Sequence, residues 1–353
     1  MDIAIIGAAG DVGRQVASQL IAEQVIAPSQ RLQLVGRKEG NSAQSLYGLR
    51  ADLLDAYAET SPEIDVALTP EEITADIIIM AAGATVPSNA DQALDRSALG
   101  KHNRPIFESY AQAIAKYGHG DEIVLIVSNP VELGVEVFSR HLERERVIGI
   151  GAYQDSLRFR RELAADLGVR RQRVNAFVLG AHGEDMYPLW NSVQVYGMDD
   201  EEMKSIVQRL SQGRNYDDFR LDYVAARQEL IKLLNEGHPE EAFSLVHRLP
   251  PDLRTMLVPF MTYISGAKTS IATANVVVEL VDSIIDGKEV LVAGQVALDK
   301  ECFDMKTVMG MPIIVGQQGW TQIVKPDMSD TDLKYLKQIA AKIAQRIKQW
   351  YQE

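Results

Sequence analysis

The chain has 353 residues, long enough for one large or two ordinary domains, and its 46% hydrophobic and 24% charged residues are typical of globular proteins. Its formal net charge of −13 at pH 7 repels nucleic acid and anionic membranes, so we expect neither as a partner. The single cysteine, Cys302, excludes an intrachain disulfide and a thiolate cluster. We therefore predict a buried thiol, no metal site and a reducing, cytoplasmic location. No apolar run is long enough to cross a bilayer.

The N-terminal apolar segment Ile3–Ile6 is followed by a glycine-rich turn and then by a helical pattern. In the turn, Gly7 permits a tight bend, Gly10 lets the backbone approach a ligand, and Gly13 lets the helix pack on the strand. The N-terminus of the helix adds N–H donors and a partial positive charge. This arrangement predicts a site for the pyrophosphate of a dinucleotide, with the candidate cofactor residues Gly7, Gly10, Asp11, Val12 and Gly13.

A second predicted strand, residues 32–35, ends in Gly36, Arg37 and Lys38. An acidic residue at this strand end would accept hydrogen bonds from the adenosine ribose of NAD. Gly36 stands there instead, and Arg37 could bind a 2′-phosphate, so the sequence favours NADP over NAD. The alternative is that both basic residues are solvated loop charges.

Apolar strands and helical patterns alternate as far as residue 130, which predicts an α/β fold with a doubly wound parallel sheet. The predicted elements are a helix at 41–58, strands at 64–68 and 75–80, a helix at 96–117 and a strand at 122–127. Ligands of such sheets bind beyond the carboxyl ends of the strands. The further candidates that fall there are Ala82, Gly83, Val127 and Asn129.

A predicted helix from Gly151 to Gly168 places Asp155 and Arg158 on one face, at spacing i, i+3. A later apolar run, 174–179, leads into a glycine-flanked loop that contains His182. An arginine can bind a carboxylate with two hydrogen bonds, a histidine can move a proton near neutral pH, and an aspartate can orient that histidine. The alternative is a surface ion pair and an ordinary turn histidine.

These motifs, in this order and approximate spacing, resemble the lactate/malate dehydrogenase family over nearly the whole chain. The matching segments are IIGAAGDVG at 5–13, IIIMAAG at 77–83, LDRSALGKHN at 94–103, VSNPVE at 127–132, DSLRFR at 155–160, LGAHGED at 179–185 and MPIIVGQQGWTQIV at 311–324. The resemblance implies an N-terminal Rossmann-type domain, 1–150, and an α+β substrate domain with extra helices, 151–353. It also implies hydride transfer between a nicotinamide cofactor and a small 2-hydroxy or 2-oxo acid, in a homodimer or homotetramer.

The resemblance implies a role for each of Asp155, Arg158 and His182. His182 would exchange a proton with the substrate oxygen, Asp155 would orient His182 and raise its pKa, and Arg158 would bind the substrate carboxylate. Hydride addition to a ketone develops negative charge on oxygen, which a fixed imidazolium stabilises.

The resemblance also implies roles for three further residues. Arg96 would polarise the reacting carbonyl, Asn129 would hydrogen-bond the substrate, and Asn103 would lie near the nicotinamide ribose.

The loop before Arg96 departs from the family pattern. Malate-specific members carry an arginine there for the second carboxylate, whereas residues 84–95 contain no Arg or Lys and include Asp91 and Asp95. We therefore expect malate to be disfavoured, with Asn89 or Gln92 touching a neutral substrate tail. In the alternative, these side chains face solvent and an arginine from elsewhere in the chain recognises the substrate.

An apparent insert, at about 199–254, could supply that arginine. We predict its helices at 201–210, 219–235 and 239–249, and most of its arginines, Arg214, Arg220 and Arg227, as surface charges. The helix that follows could add Thr269 or Ser270 to the pocket.

Two rival functions remain open from the sequence. One is a non-catalytic dinucleotide-binding or sensing relative, which would have no evident need for Asp155, Arg158, His182 and Arg96 together. The other is a nicotinamide-dependent glycosidase, which needs a metal site that typically includes Cys and His.

Overall fold

The structure is a computed structural model that describes residues 1–84, 96–266 and 268–352, apart from the side chains of Arg96 and Ser97. The loop candidates, Asn89, Asp91, Gln92 and Asp95, therefore lie outside the described residues. The same holds for the side chain of Arg96, although its backbone begins a helix.

Strands and helices alternate through the first half of the chain. They are β1 (Ile3–Ile6), α1 (Asp11–Ala22), β2 (Arg31–Val35), α2 (Ser42–Ala56), β3 (Glu63–Ala67), β4 (Ile77–Met80), α3 (Arg96–Tyr117), β5 (Ile123–Ile126), α4 (Val131–Phe138) and β6 (Val147–Gly149). The strands are parallel and lie in the order β3-β2-β1-β4-β5-β6. Strands such as β1 and β4 are apolar at every position and buried throughout, as expected for a parallel sheet covered on both faces. This confirms the predicted Rossmann-type sheet.

The second half is a mixed α/β region. Its elements are α5 (Gly151–Leu167), β7 (Val174–Gly180), β8 (Met186–Val195), α6 (Asp200–Ser211), α7 (Tyr216–Asn235), α8 (Pro239–His247), α9 (Pro251–Ile264), α10 (Ser270–Ile285), β9 (Val290–Ala297), β10 (Val308–Gly316), β11 (Gly319–Ile323) and α11 (Asp330–Gln352). Its strands extend the sheet as β6-β9-β10-β7-β8 in antiparallel pairs, with β11 on β10. Strands β8 and β9 were not predicted.

Backbone hydrogen bonds align the carboxyl ends of the central strands. The Gly7 N–H donates to the Val35 carbonyl at 2.9 Å, and the N–H after β4 donates to the carbonyl of Ile6 at 2.9 Å. The Val127 N–H donates to the Met80 carbonyl at 3.0 Å. The segments that follow β1, β4 and β5 therefore meet at one edge, as the sequence predicts.

The helices after β8 are fixed to the rest of the second half by buried ion pairs. Arg214 donates to both carboxylate oxygens of Asp252 at 2.7 and 2.9 Å. Arg254 joins α9 to α5 through Glu162 and Asp166, each at 2.7 Å. These contacts give the added helices a defined position beside α5.

Among the described residues, no helix is long and apolar enough to cross a membrane. Within the same part of the chain, no group of three His, Cys, Asp or Glu side chains is arranged to hold a metal ion. Cys302 is buried, and burial raises the pKa of its thiol to about 11.

Candidate active site

A cavity of about 420 Å³ lies between the carboxyl edge of the parallel strands and the helices α9 and α10. Predicted residues from both domains line it. Those predicted to bind the cofactor are Gly10, Asp11, Val12, Gly83, Val127 and Asn129. Those predicted to be catalytic are Asp155, Arg158 and His182. The structure thus brings together residues that are far apart in the sequence.

Other predicted cofactor residues do not line this cavity. They are Gly7, Gly13, Gly36, Arg37, Ala82 and Asn103. Gly7 has φ +85°, and a Cβ there would lie 2.7 Å from the backbone nitrogen of Ala82. A side chain at this position would therefore push apart β1 and the turn after β4.

The first turn of α1 faces the cavity and offers backbone donors. Helix α1 begins at Asp11 after Gly10, and no side chain among the described residues caps its first N–H groups. The Asp11 carboxylate is paired with Lys268 Nζ at 2.6 Å, so it does not present an isolated negative charge to an anion. Open N–H groups at a helix N-terminus beside glycines suit a pyrophosphate, so the residues present fit a dinucleotide.

Asp155 holds two partners at the centre of the cavity. Its Oδ2 lies 2.8 Å from His182 Nδ1, and its Oδ1 accepts a hydrogen bond from Arg158 Nη1 at 2.9 Å. The Asp155 and Arg158 side chains are only 1% and 13% exposed, so this is not the surface ion pair of the alternative interpretation. Because Nδ1 of His182 is engaged, Nε2 is the ring nitrogen left for a substrate.

The charge of Asp155 is stabilised by these partners. Burial alone would raise the pKa of Asp155, but the charges and hydrogen bonds of His182 and Arg158 outweigh burial and lower its pKa. The carboxyl group therefore stays ionised and can stabilise positive charge on His182.

Tight packing between α5 and the β7–β8 loop positions His182. Ser156 Oγ accepts from the Val178 N–H at 2.9 Å, which fastens α5 to β7. A Cβ on Gly151 would lie 2.6 Å from His182 Cβ, so only glycine allows this approach. The His182 N–H donates to the buried Glu132 carboxylate at 2.7 Å.

Sequence reasoning missed Glu132 and the role of Gly151. Glu132 directly follows the SNPV motif, and Gly151 stands at the start of α5, close to Asp155. Neither position shows its contact in the sequence, because the partner, His182, comes from a distant loop.

Asn103 links two segments of the backbone, and its proximity to the nicotinamide ribose stays a prediction. Its side chain is fully buried, with Oδ1 accepting from the Ala84 N–H at 2.7 Å and Nδ2 donating to the Asn129 carbonyl at 2.6 Å. Asn103 therefore joins the segments after β4 and β5 and is a positioning residue in this structure. Asn129 itself lines the cavity.

The arginines of the predicted insert do not line the cavity. Arg214 is held by Asp252, and Arg220 donates to the backbone carbonyl of Glu184. The guanidinium of Arg227 lies 5.0 Å from the centroid of the Phe260 ring.

Residues after α9 do line the cavity. Both Thr269 and Ser270, predicted as pocket residues, are part of its lining, and so is Lys268.

Comparison with family models gives two adjacent matches. A model described as the NAD binding domain of lactate/malate dehydrogenase matches residues 1–149, and one described as the alpha/beta C-terminal domain of the same family matches residues 154–233. Residues beyond 233, which include α8 and α9, lie outside both matches.

Relatives align over most of the chain. The chain is 26% identical to a malate dehydrogenase of Methanococcus maripaludis, over 96% of this chain and 95% of that protein. It is 26% identical to L-lactate dehydrogenase 2 of Listeria innocua over 98% of each. An L-2-hydroxycarboxylate dehydrogenase (NAD(P)(+)) of Methanocaldococcus jannaschii is 32% identical over 56% of this chain and 62% of that protein.

Solved structures share the fold. A lactate dehydrogenase from Cryptosporidium parvum, complexed with lactic acid and nicotinamide adenine dinucleotide, superposes with a TM-score of 0.76 at 21% identity, covering 100% of this chain and 98% of that one. A malate dehydrogenase from Plasmodium falciparum superposes with a TM-score of 0.75 at 20% identity, covering 100% and 99%.

Proposed function

The chain belongs to the lactate/malate dehydrogenase family, and from this premise we propose that it is a nicotinamide-dependent dehydrogenase of small 2-hydroxy acids. One observation carries the proposal: His182 and Arg158 share the buried carboxylate of Asp155, at 2.8 and 2.9 Å, in a cavity that also contains the glycine turn. A proton donor, a carboxylate-binding group and a dinucleotide site are the parts that this reaction requires.

His182 carries the proton in both directions. A bound nicotinamide supplies or accepts the hydride at the carbon that bears the oxygen. In reduction, His182 Nε2 gives its proton to the substrate oxygen, and in oxidation it accepts the hydroxyl proton. Asp155 remains ionised and stabilises the charged imidazole in each direction.

Arg158 fixes the orientation of the substrate. Its Nη1 is bonded to Asp155, so the guanidinium can offer its remaining N–H groups to the substrate carboxylate as a fixed fork. This contact would decide which carbon faces the cofactor. We assign polarisation of the carbonyl to Arg96 and a hydrogen bond to the substrate to Asn129, as the family resemblance implies.

The coenzyme proposal is NADP in preference to NAD. A Cβ on Gly36 would lie 2.6 Å from both Leu46 Cδ1 and Ser42 Oγ, so an acidic side chain at the end of β2 would require these two side chains to move. Arg37 follows and is exposed, with its N–H bonded to Ser42 Oγ at 3.1 Å. These contacts support a site that tolerates a 2′-phosphate, although the matched N-terminal model is described as NAD binding.

The rival functions have less support. A sensing relative would not need the proton-transfer pair, and a metal-dependent glycosidase would need ligands near the nicotinamide, whereas the buried Cys302 does not line the cavity. Assembly as a homodimer or homotetramer and a cytoplasmic location remain predictions.

Steady-state turnover tests the proposal. The full-length protein should oxidise NADPH, and more slowly NADH, in the presence of one or more 2-oxo acids from a panel that varies the tail. Tight coenzyme binding with no turnover of any 2-oxo acid would refute the dehydrogenase proposal and favour the sensing function.

A further inference from the structure

Helix α9 presents an apolar face to the cavity. Its lining residues Met256, Pro259, Phe260 and Tyr263 follow the spacing i, i+3, i+4, i+7, which places them along one side of the helix. We call these residues the α9 face. Met256 is buried and the other members are half-buried, so apolar surface of this face remains to be covered by a ligand.

Two threonine side chains next to the α9 face are bonded to the protein. Thr255 Oγ1 donates to the Pro251 carbonyl at 2.8 Å. Thr273 Oγ1 donates to the Thr269 carbonyl at 2.8 Å and accepts from Gln154 Nε2 at 2.9 Å. These hydroxyl groups therefore have little capacity left for a polar substrate tail.

The cationic side chains among the described lining residues are already engaged. Arg158 and His182 serve the head group of the substrate, and Lys268 is paired with Asp11. In the sequence, residues 85–95 contain no Arg or Lys.

Two further lining residues are acidic. Glu132 and Glu184 both line the cavity, so a second carboxylate on the substrate would approach like charges. The surroundings therefore disfavour a dicarboxylic acid.

We propose that the α9 face selects 2-oxo acids with an uncharged, apolar tail, either branched aliphatic or aromatic, over pyruvate and oxaloacetate. The proposal rests on the dehydrogenase function proposed above and adds its substrate class. An apolar tail covers the apolar side chains and excludes water, and each added methylene in an apolar pocket is worth roughly 10-fold or more in discrimination. Met256 and Phe260, one helical turn apart, are the specificity-determining residues.

The first measurement compares kcat/KM for pyruvate, 2-oxobutanoate, 4-methyl-2-oxopentanoate, phenylpyruvate and oxaloacetate. We expect a rise of at least roughly 10-fold from pyruvate to the better of the branched and aromatic acids, with oxaloacetate lowest. A preference for pyruvate or oxaloacetate would overturn the proposal and leave the dehydrogenase function standing.

Variants of the α9 face sharpen the test. Phe260→Ala removes a half-buried ring and should lower kcat/KM for the preferred bulky acid by roughly 10-fold, mainly through KM, with a smaller change for pyruvate. Met256→Arg should raise the ratio of oxaloacetate to bulky-acid turnover. The matched control, Val224→Arg on the exposed surface of α7, should leave the ranking unchanged. Equal losses for all acids in Phe260→Ala would contradict a role in specificity.

Arg227 provides the competing explanation, since its guanidinium is stacked on the Phe260 ring. If oxaloacetate were the best substrate and Arg227→Gln abolished that preference, Arg227 would bind the tail carboxylate and the apolar proposal would be wrong. We expect Arg227→Gln to leave oxaloacetate a poor substrate. If the wild-type protein reduced none of these acids with NADH or NADPH, the dehydrogenase function itself would fail.

Discussion

The two parts of the cavity are built from different kinds of contact. Around Asp155, His182 and Arg158, charged groups meet at hydrogen-bond distances with little exposure. Along α9, carbon surfaces such as Met256 and Phe260 border open space. The first arrangement tolerates little displacement, because charge-assisted hydrogen bonds depend on distance and direction. The arrangement along α9 depends on apolar area and shape, so its residues can be substituted without displacing Asp155, His182 or Arg158.

Arg254 connects the two parts. It lies in α9 one residue before Thr255, and it binds Glu162 and Asp166 of α5, the helix that also carries Asp155 and Arg158. Helix α9 is therefore fixed to the helix that carries the proposed catalytic residues Asp155 and Arg158.

The largest effect is expected from His182→Ala, which removes the proton carrier. The catalytic rate should fall by ~10²–10⁴, while binding of NADPH, measured by fluorescence titration, stays close to wild type. His141→Ala is the control, because His141 pairs with Glu108 away from the cavity. Normal turnover in His182→Ala would refute its assignment.

Replacing Arg254 by Met should lower stability by about 3 kcal/mol, near the lower end for breaking a buried ion pair. Glu162 would lose one partner, although Arg161 would remain beside it. Denaturant unfolding followed by circular dichroism measures the change. The control is Arg161→Met, whose side chain is 53% exposed and which should cost much less. Equal losses in the two variants would argue against a structural role for the Arg254 link.

Asp155→Asn should produce a pH-dependent loss of stability. Because its partners lower the pKa of Asp155 in the folded protein, its ionised form contributes stability that is fully present above about pH 4, the range of an unfolded aspartate. That contribution is lost as the pH falls through the lower pKa of the folded state. Replacement should therefore cost about 2 kcal/mol at pH 7, the value of a hydrogen bond to a charged group, and less at acid pH. Thermal unfolding of both proteins between pH 7 and pH 3 checks this, and a constant gap would contradict it.

The smallest effect concerns the choice of coenzyme. Arg37→Ala should weaken NADPH binding by about 10-fold, the loss of one charge-assisted hydrogen bond, and should hardly change NADH binding. Lys38→Ala, at the adjacent residue, is the matched control. Equal weakening of both coenzymes would remove the reason for preferring NADP.

Sequence reasoning succeeded where a contact depends on local spacing. Asp155 and Arg158 are neighbours because residues three apart share a helix face, and the predicted pair is present at 2.9 Å. Asn103 makes contacts that spacing along the chain does not reveal. Packing buries its side chain and directs it to the backbone of Ala84 and Asn129.

The sequence by itself determined the parallel sheet, the glycine turn and the pairing of Asp155 with Arg158, because period-2 and period-3.6 patterns and strand ends are local properties. Only the tertiary structure decided which apolar side chains line the cavity. Met256 and Phe260 lie on a helix that reaches the cavity because α9 packs against α5, and Arg227 stays outside the lining because it lies against the Phe260 ring. Such contacts between distant segments follow from packing, which the spacing of residues along the chain does not reveal.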